Sequence, residues 1–231
     1  MKEKIFGIDT PFFKLMSMIG DLMLLNLMWI LFSVPIITIG ASTTALLYTG
    51  MKLSKGRDGY VVSNFWKSFK LNLKQSTVIW LILLLFGGAL GYAGWYWMNG
   101  EDGISRILAV LAISLGILYL IELMFVFAVQ AKFANTIINT MKNALIMGIQ
   151  NFPITILCMV GVGLLVGLNY TFFVANILTL VIGIGVLGWV LGMFYNLAFR
   201  KYLPKEEKRK DDEWHVPDEI EDVKESEMPG Q

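Results

Sequence analysis

TVIWLILLLFGGALGYAGWYWM, residues Thr77–Met98, runs for 22 positions without a charged side chain. At 1.5 Å per residue a helix of that length covers the roughly 30 Å hydrocarbon core of a bilayer. A continuous helix satisfies its own backbone there, where no water can. Three similar stretches follow at Ile107–Val129, Pro153–Phe173 and Ile177–Phe199. Upstream, Phe12–Leu53 is longer than one crossing and is interrupted by Pro35 and Gly40. Proline lacks an N–H and biases the residue before it away from helix, so a break is predicted near Val34. The region then reads as two arms, Phe12–Ser33 and Ile36–Leu53. The second is short and polar through Ala41–Thr44, and it either crosses or dips in and returns.

Composition points the same way. Hydrophobic residues make up 56% of the 231 and charged residues only 16%, with a mean hydropathy of +0.63. An average soluble domain carries about 25% charged residues, so a soluble globule and a disordered chain are both excluded. The charges are also segregated. Lys205–Gln231 hold 5 basic and 11 acidic residues, and the remainder holds 14 and 7. The expected fold is all-α: a polytopic transmembrane bundle of five to six segments with interfacial amphipathic helices. It occupies residues 1–203 and precedes an acidic cytoplasmic tail, 204–231, too poor in apolar residues to fold alone.

Basic residues near membrane segments mark the cytoplasmic side. Lys52–Lys74 carries six basic residues against Asp58, and Gln130–Phe152 carries Lys132 and Lys142 with no acid. Asn99–Arg106 is acidic on balance and Asn169–Asn176 is uncharged, which places both outside. Lys2, Lys4 and Lys14 put the N-terminus inside, so Phe12–Leu53 should form a hairpin, with both termini cytoplasmic at a bacterial plasma membrane. The rival is five crossings with an external N-terminus. No small-x-small cleavage site follows the first apolar run, so it is not expected to be a signal peptide.

Two cytoplasmic stretches look amphipathic. In Val62–Ser76, Val62, Trp66, Phe69 and Leu73 recur at helical spacing beside a stripe of Lys67, Lys70 and Lys74. This predicts a helix lying among the headgroups, aromatics toward lipid and lysines snorkelling. Trp66, Lys67, Phe69, Lys70 and Lys74 are its candidate interfacial or partner-docking residues. In Asn135–Gln150, one face carries Ile137, Ile138, Met141, Ala144, Leu145 and Ile149, opposite Asn135, Asn139, Lys142 and Asn143. Lys67, Gln75 and Gly88 recur as Lys142, Gln150 and Gly163, 75 residues later, which suggests a repeat of amphipathic helix plus hairpin. Three glycine faces, Gly87/Gly91/Gly94, Gly163/Gly167 and Gly185/Gly188/Gly192, are of the kind that lets membrane helices approach closely.

Asp21 and Glu122 are acids within crossing segments, where a charge costs about 3 kcal/mol or more. Their similar depth makes a shared polar site conceivable, with Asn26, Tyr119 and Gln130 as hydrogen-bonding neighbours. It would be either interhelical glue or a cation, proton or substrate site. Chemistry beyond that is excluded by scarcity. The chain has one cysteine, Cys158 in an apolar run, one histidine, His215 in the tail, and no P-loop. No metal, no cofactor, no catalytic residue and no nucleic-acid partner are therefore expected.

Asn26–Tyr48, NLMWILFSVPIITIGASTTALLY, is followed by GRDGY at residues 56–60 and by FWKSFKLNLKQS from Phe65 to Ser76. This pattern resembles the YesL-like family of small membrane proteins, mostly from Gram-positive bacteria. The family has no defined catalytic residues, and its members often stand beside genes for carbohydrate ABC transport and sugar sensing. The resemblance implies a non-catalytic membrane protein, auxiliary or regulatory to carbohydrate uptake, with ABC-transporter or sensor membrane subunits as partners besides the bilayer. The alternative is a small transporter or channel acting as a homo-oligomer.

Overall fold

The computed structural model describes residues 11–56 and 60–203. The acidic tail 204–231 with His215, the N-terminal Lys2 and Lys4, and Arg57 and Asp58 lie outside the described residues. Among the described residues all regular elements are helices: α1 (Pro11–Ser33), α2 (Ile39–Leu53), α3 (Val61–Met98), α4 (Gly103–Lys132), α5 (Ile137–Gln150), α6 (Phe152–Thr171), α7 (Phe173–Leu178) and α8 (Ile184–Phe199). A 3-10 turn, Ile36–Thr38, precedes α2, and a π-helical turn, Thr179–Gly183, joins α7 to α8. The chain divides into two units, Met1–Tyr195 and Asn196–Gln231. In the second, residues 196–203 finish the last helix and turn through Arg200 N–H to Asn196 O and Tyr202 N–H to Phe199 O.

Among the described residues, five helical stretches are long and apolar enough to cross a membrane: Phe12–Ser33, Val61–Met98, Gly103–Lys132, Phe152–Thr171 and Phe173–Phe199. This is a membrane protein. The predicted break falls where expected, with α1 ending at Ser33 and Pro35 extended at φ −75°. The Thr38 hydroxyl shares its hydrogen between the carbonyl of Phe32 (2.7 Å), which the end of α1 leaves open, and that of Pro35 (2.8 Å), which also accepts from Thr38 N–H.

The second arm becomes α2, whose 15 residues reach only about 22 Å. Most of it is buried, so it is an inner helix. Its polar residues face protein: the hydroxyls of Thr44 and Ser76 are 2.9 Å apart, and Thr44 also donates to Gly40 O. Contacts along α3 give the directions. Asp21 lies by Tyr60–Trp66 and the Phe32 ring by Phe69, so α1 runs parallel to the start of α3. Thr44 meets Ser76 and Lys52 Nζ meets Asn64 Oδ1 (2.8 Å), so α2 runs antiparallel. The chain from α1 through α2 thus returns to the side on which it started. The helix α4 is antiparallel to α3 as well, with Gln130 against Asn72 and Tyr119 against Leu83.

The structure corrects one of the two amphipathic expectations. Val62–Ser76 is no separate surface helix. It is the first part of the unbroken 38-residue α3, because no proline separates it from Thr77–Met98. Its Phe65 and Phe69 are buried against Phe32, Leu25 and Ala45 rather than turned to lipid. The second stretch is separate, since the chain breaks at Asn151 ahead of Pro153. Its buried stripe is Thr140, Ala144 and Gly148, and Ile138 and Ile149 of the predicted apolar face are exposed, as a face turned to lipid or a partner would be. Where the surroundings are lipid, apolarity does not mark the protein-facing side, and small residues that allow close approach do. The 75-residue repeat therefore relates half of one long helix to a whole short one.

The glycine faces divide. A Cβ on Gly50 or Gly185 would stand inside contact distance of a backbone carbonyl, Gly188 O and Leu22 O respectively. One on Gly192 would lie 2.5 Å from the carbonyl carbon of Gly50. Gly87 is closed off by the Tyr119 ring, whereas Gly88, Gly91, Gly94, Gly163 and Gly167 meet nothing within 4 Å.

Candidate functional site

Asp21 is buried in a recess lined by Leu24, Tyr60, Val61, Val62, Ser63 and Trp66. No residue of α4 lines that recess. Glu122 lies on α4 beside Ile121, which packs on Gly148 of α5, and is partly exposed. Among the described residues it forms no hydrogen bond or ion pair. Glu122→Gln and Glu122→Leu are accordingly both expected to stay within about 0.5 kcal/mol of the parent in unfolding measured in detergent. A larger loss with leucine alone would reveal an interhelical bond at this acid.

The polar neighbours suggested for those acids are engaged elsewhere. Tyr119 Oη donates to Leu83 O (3.0 Å). Gln130 Nε2 donates to Asn72 Oδ1 (3.0 Å), and Gln130 Oε1 accepts from Thr140 Oγ1 (3.1 Å). Asn26 is fully buried and clamps the π turn. Its Nδ2 donates to Leu180 O (2.6 Å), and its Oδ1 accepts from the N–H of Ile184 (2.8 Å) and Gly185 (3.1 Å). Ile184 N–H and Leu180 O would be partners in an α-helix. Here the carboxamide takes the place of that missing rung, one donor for the carbonyl and one acceptor for the amide.

A larger polar cavity, about 600 Å³, opens at the lysine-rich end of α3 and α4. Tyr48 of α2, the Lys67–Gln75 face of α3, the end of α4 from Gln130 and the 133–139 segment line it. One wall is fixed by the Gln130–Asn72 pair, with Asn72 Nδ2 donating to Ser68 O (2.9 Å). Gln75 Nε2 donates to Asn135 O (2.6 Å) and ties the 133–136 linker to α3. Lys67 and Lys132 also line the cavity; among the described residues no acid lines it and none pairs with either lysine. The volume is in the range of small-molecule sites, about 300–1,000 Å³.

The docking residues predicted on this helix do not share one face. Phe69 is in the core, stacked 5.9 Å from Trp66, while Lys67 enters the cavity. Lys70 Nζ lies 4.6 Å above the half-exposed Trp66 ring, and exposed Lys74 borders a neighbouring recess beside Gln75. The cavity itself escaped the sequence reading. Its signal was the Ser68, Asn72 and Gln75 spacing, a polar face at i, i+4 and i+7 next to the lysines. At the opposite end of α3, Asp102 accepts from the Ser105 hydroxyl, which holds its carboxyl below the usual carboxylate range.

Residues 22–93 match the family model described as "Protein of unknown function, DUF624". The matched DUF624 segment runs from the second half of α1 through the proline break and α2 into α3. It contains Asn26, the Thr44–Ser76 pair and the α3 wall of the cavity. Asp21 lies one residue outside it, and Glu122 and Gln130 lie beyond it. No curated protein and no solved structure matches the chain.

Proposed function

We propose that the chain is a non-catalytic plasma-membrane protein, YesL-like within the matched DUF624 model, that serves as an auxiliary or regulatory component of carbohydrate uptake. The observation that carries assembly is the set of open glycines. A helix glycine costs up to about 1 kcal/mol relative to alanine, and in lipid that cost is offset where another helix backbone comes close. Gly50, Gly185 and Gly192 have such a neighbour within this chain, whereas Gly88, Gly91, Gly94, Gly163 and Gly167 do not. Those two faces, on α3 and α6, are where membrane subunits of an uptake system would dock.

Mild-detergent affinity purification from the native host tests this reading. Co-purification of ABC-transporter or sensor membrane subunits is the expected result. Recovery of the protein with itself alone, together with solute flux in reconstituted vesicles, would favour the homo-oligomeric transporter instead.

The proposed orientation has both termini cytoplasmic, supported by the α1–α2 return and by the lysines at one end of α3 and α4. Single cysteines at Lys70 and Lys142, in a Cys158→Ser background, are expected to resist a membrane-impermeant thiol reagent in intact cells. A cysteine at Asp102 is expected to react. Labelling at Lys70 with protection at Asp102 would invert the assignment.

A further inference from the structure

We infer that the cavity between α3, α4 and the start of α5 is a binding site for a phosphate-bearing, hydroxylated ligand. The inference rests on the lining alone and stands whether or not an uptake partner is found. Its polar groups fall into two sets. Asn72, Gln130 and Ser68 are spent on each other and on Thr140, so they set the shape of one wall. Lys67, Lys132 and the side chains of Asn135 and Asn139 have no hydrogen-bond partner among the described residues, and they line the same space. Two ammonium groups supply donors only, and the carboxamides add both donors and acceptors.

With no carboxylate among the described residues of the lining, the complementary ligand is an anion that offers several oxygens. Ammonium–phosphate hydrogen bonds are charge-assisted and strong, and amides match hydroxyls because each can give and take a hydrogen bond. The end of α5 adds to the same sign. Thr136 precedes its first turn without a side-chain cap, and Thr136 and Asn139 both line the cavity. The positive end of that helix dipole thus faces the ligand space. A neutral sugar would leave both ammonium groups without a counter-charge, which disfavours it relative to its phosphate ester.

The chemistry is shared by two sources, a soluble sugar phosphate and the headgroup of an anionic phospholipid. Full-length protein, parent and variants, separates them in two arms. In detergent, binding of glucose phosphate, inorganic phosphate and glucose is measured by calorimetry and by the shift in unfolding temperature. In nanodiscs, unfolding is compared between phosphatidylcholine alone and an equal mixture with phosphatidylglycerol. The variants are Lys67→Gln, Lys132→Gln and their combination, with Lys70→Gln, outside the lining, as the control for general loss of charge.

For a soluble ligand, glucose phosphate binds the parent and Lys70→Gln equally, more tightly than phosphate and far more tightly than glucose. Each cavity variant then loses roughly tenfold or more in affinity. For a headgroup, glucose phosphate has no effect, and phosphatidylglycerol stabilises the parent and Lys70→Gln but not the double variant. Either pattern supports the site. Responses in which the double variant and Lys70→Gln are alike in both arms would overturn it. Both lysines lie at the surface of the cavity rather than in the core, and unchanged unfolding of the ligand-free double variant in detergent confirms that the fold is intact.

Discussion

Asn26→Leu is expected to be among the most damaging single substitutions in this protein. It removes three hydrogen bonds at once and leaves Leu180 O and the N–H groups of Ile184 and Gly185 inside an apolar bundle. Each orphaned group costs about 1–3 kcal/mol in a protein interior, and interhelical bonds in membranes average toward the low end, so a loss of about 2–5 kcal/mol follows. The turn cannot simply close into α-helix to recover the bond. Removing its extra residue would rotate everything after it by about 100° and carry Gly185, Gly188 and Gly192 off their contacts. The check is unfolding in detergent, followed by size-exclusion recovery after heating. Asn99→Leu is the control, because its bond to Trp95 O is exposed and its loss should cost under about 0.5 kcal/mol. An unfolding curve for Asn26→Leu that overlays the parent would show that the π turn does not depend on the carboxamide.

Gly50→Ala and Gly192→Ala carry the second large effect. At both positions the added methyl would meet the backbone of the facing helix, which has no rotamer with which to yield. Overpacking of this kind costs about 1–3 kcal/mol and more where backbones must separate. Folded yield and unfolding temperature should fall together for each variant. Gly91→Ala and Gly163→Ala, with open space at the Cβ, should hold or slightly raise the unfolding temperature through helix propensity. The larger Gly91→Leu and Gly163→Leu should also leave the isolated protein stable, yet lose any partner that docks on those faces. If all four alanine variants behaved alike, the division between packed and open glycines would be wrong.

The helical class, the membrane residence and the break at Pro35 are all legible in the chain. They depend on local properties: the length of an apolar run, the charge at its ends and the missing N–H of one proline. The separation of α5 from α6 at Pro153 is legible for the same reason, whereas the amphipathic pattern of Val62–Ser76 suggested a separate surface helix and hid the continuity of α3. Facing is different. In water the apolar stripe of a helix names its buried side; here the amphipathic pattern led to a lipid-facing Phe69, which the structure buries. In a bilayer both sides of a helix meet apolar surroundings, so the sequence pattern is silent about which one another helix will cover. The tertiary structure alone decides that Gly192 touches Gly50 while Gly163 touches nothing. It also decides that Asn26, an ordinary amide in an apolar run, repairs a turn 154 residues away at Leu180. The cavity at Lys67 and Lys132 has the same origin. Its walls come from three separate stretches of chain, and only the packing of α3 against α4 and α5 brings to one space two ammonium groups that have no partner among the described residues.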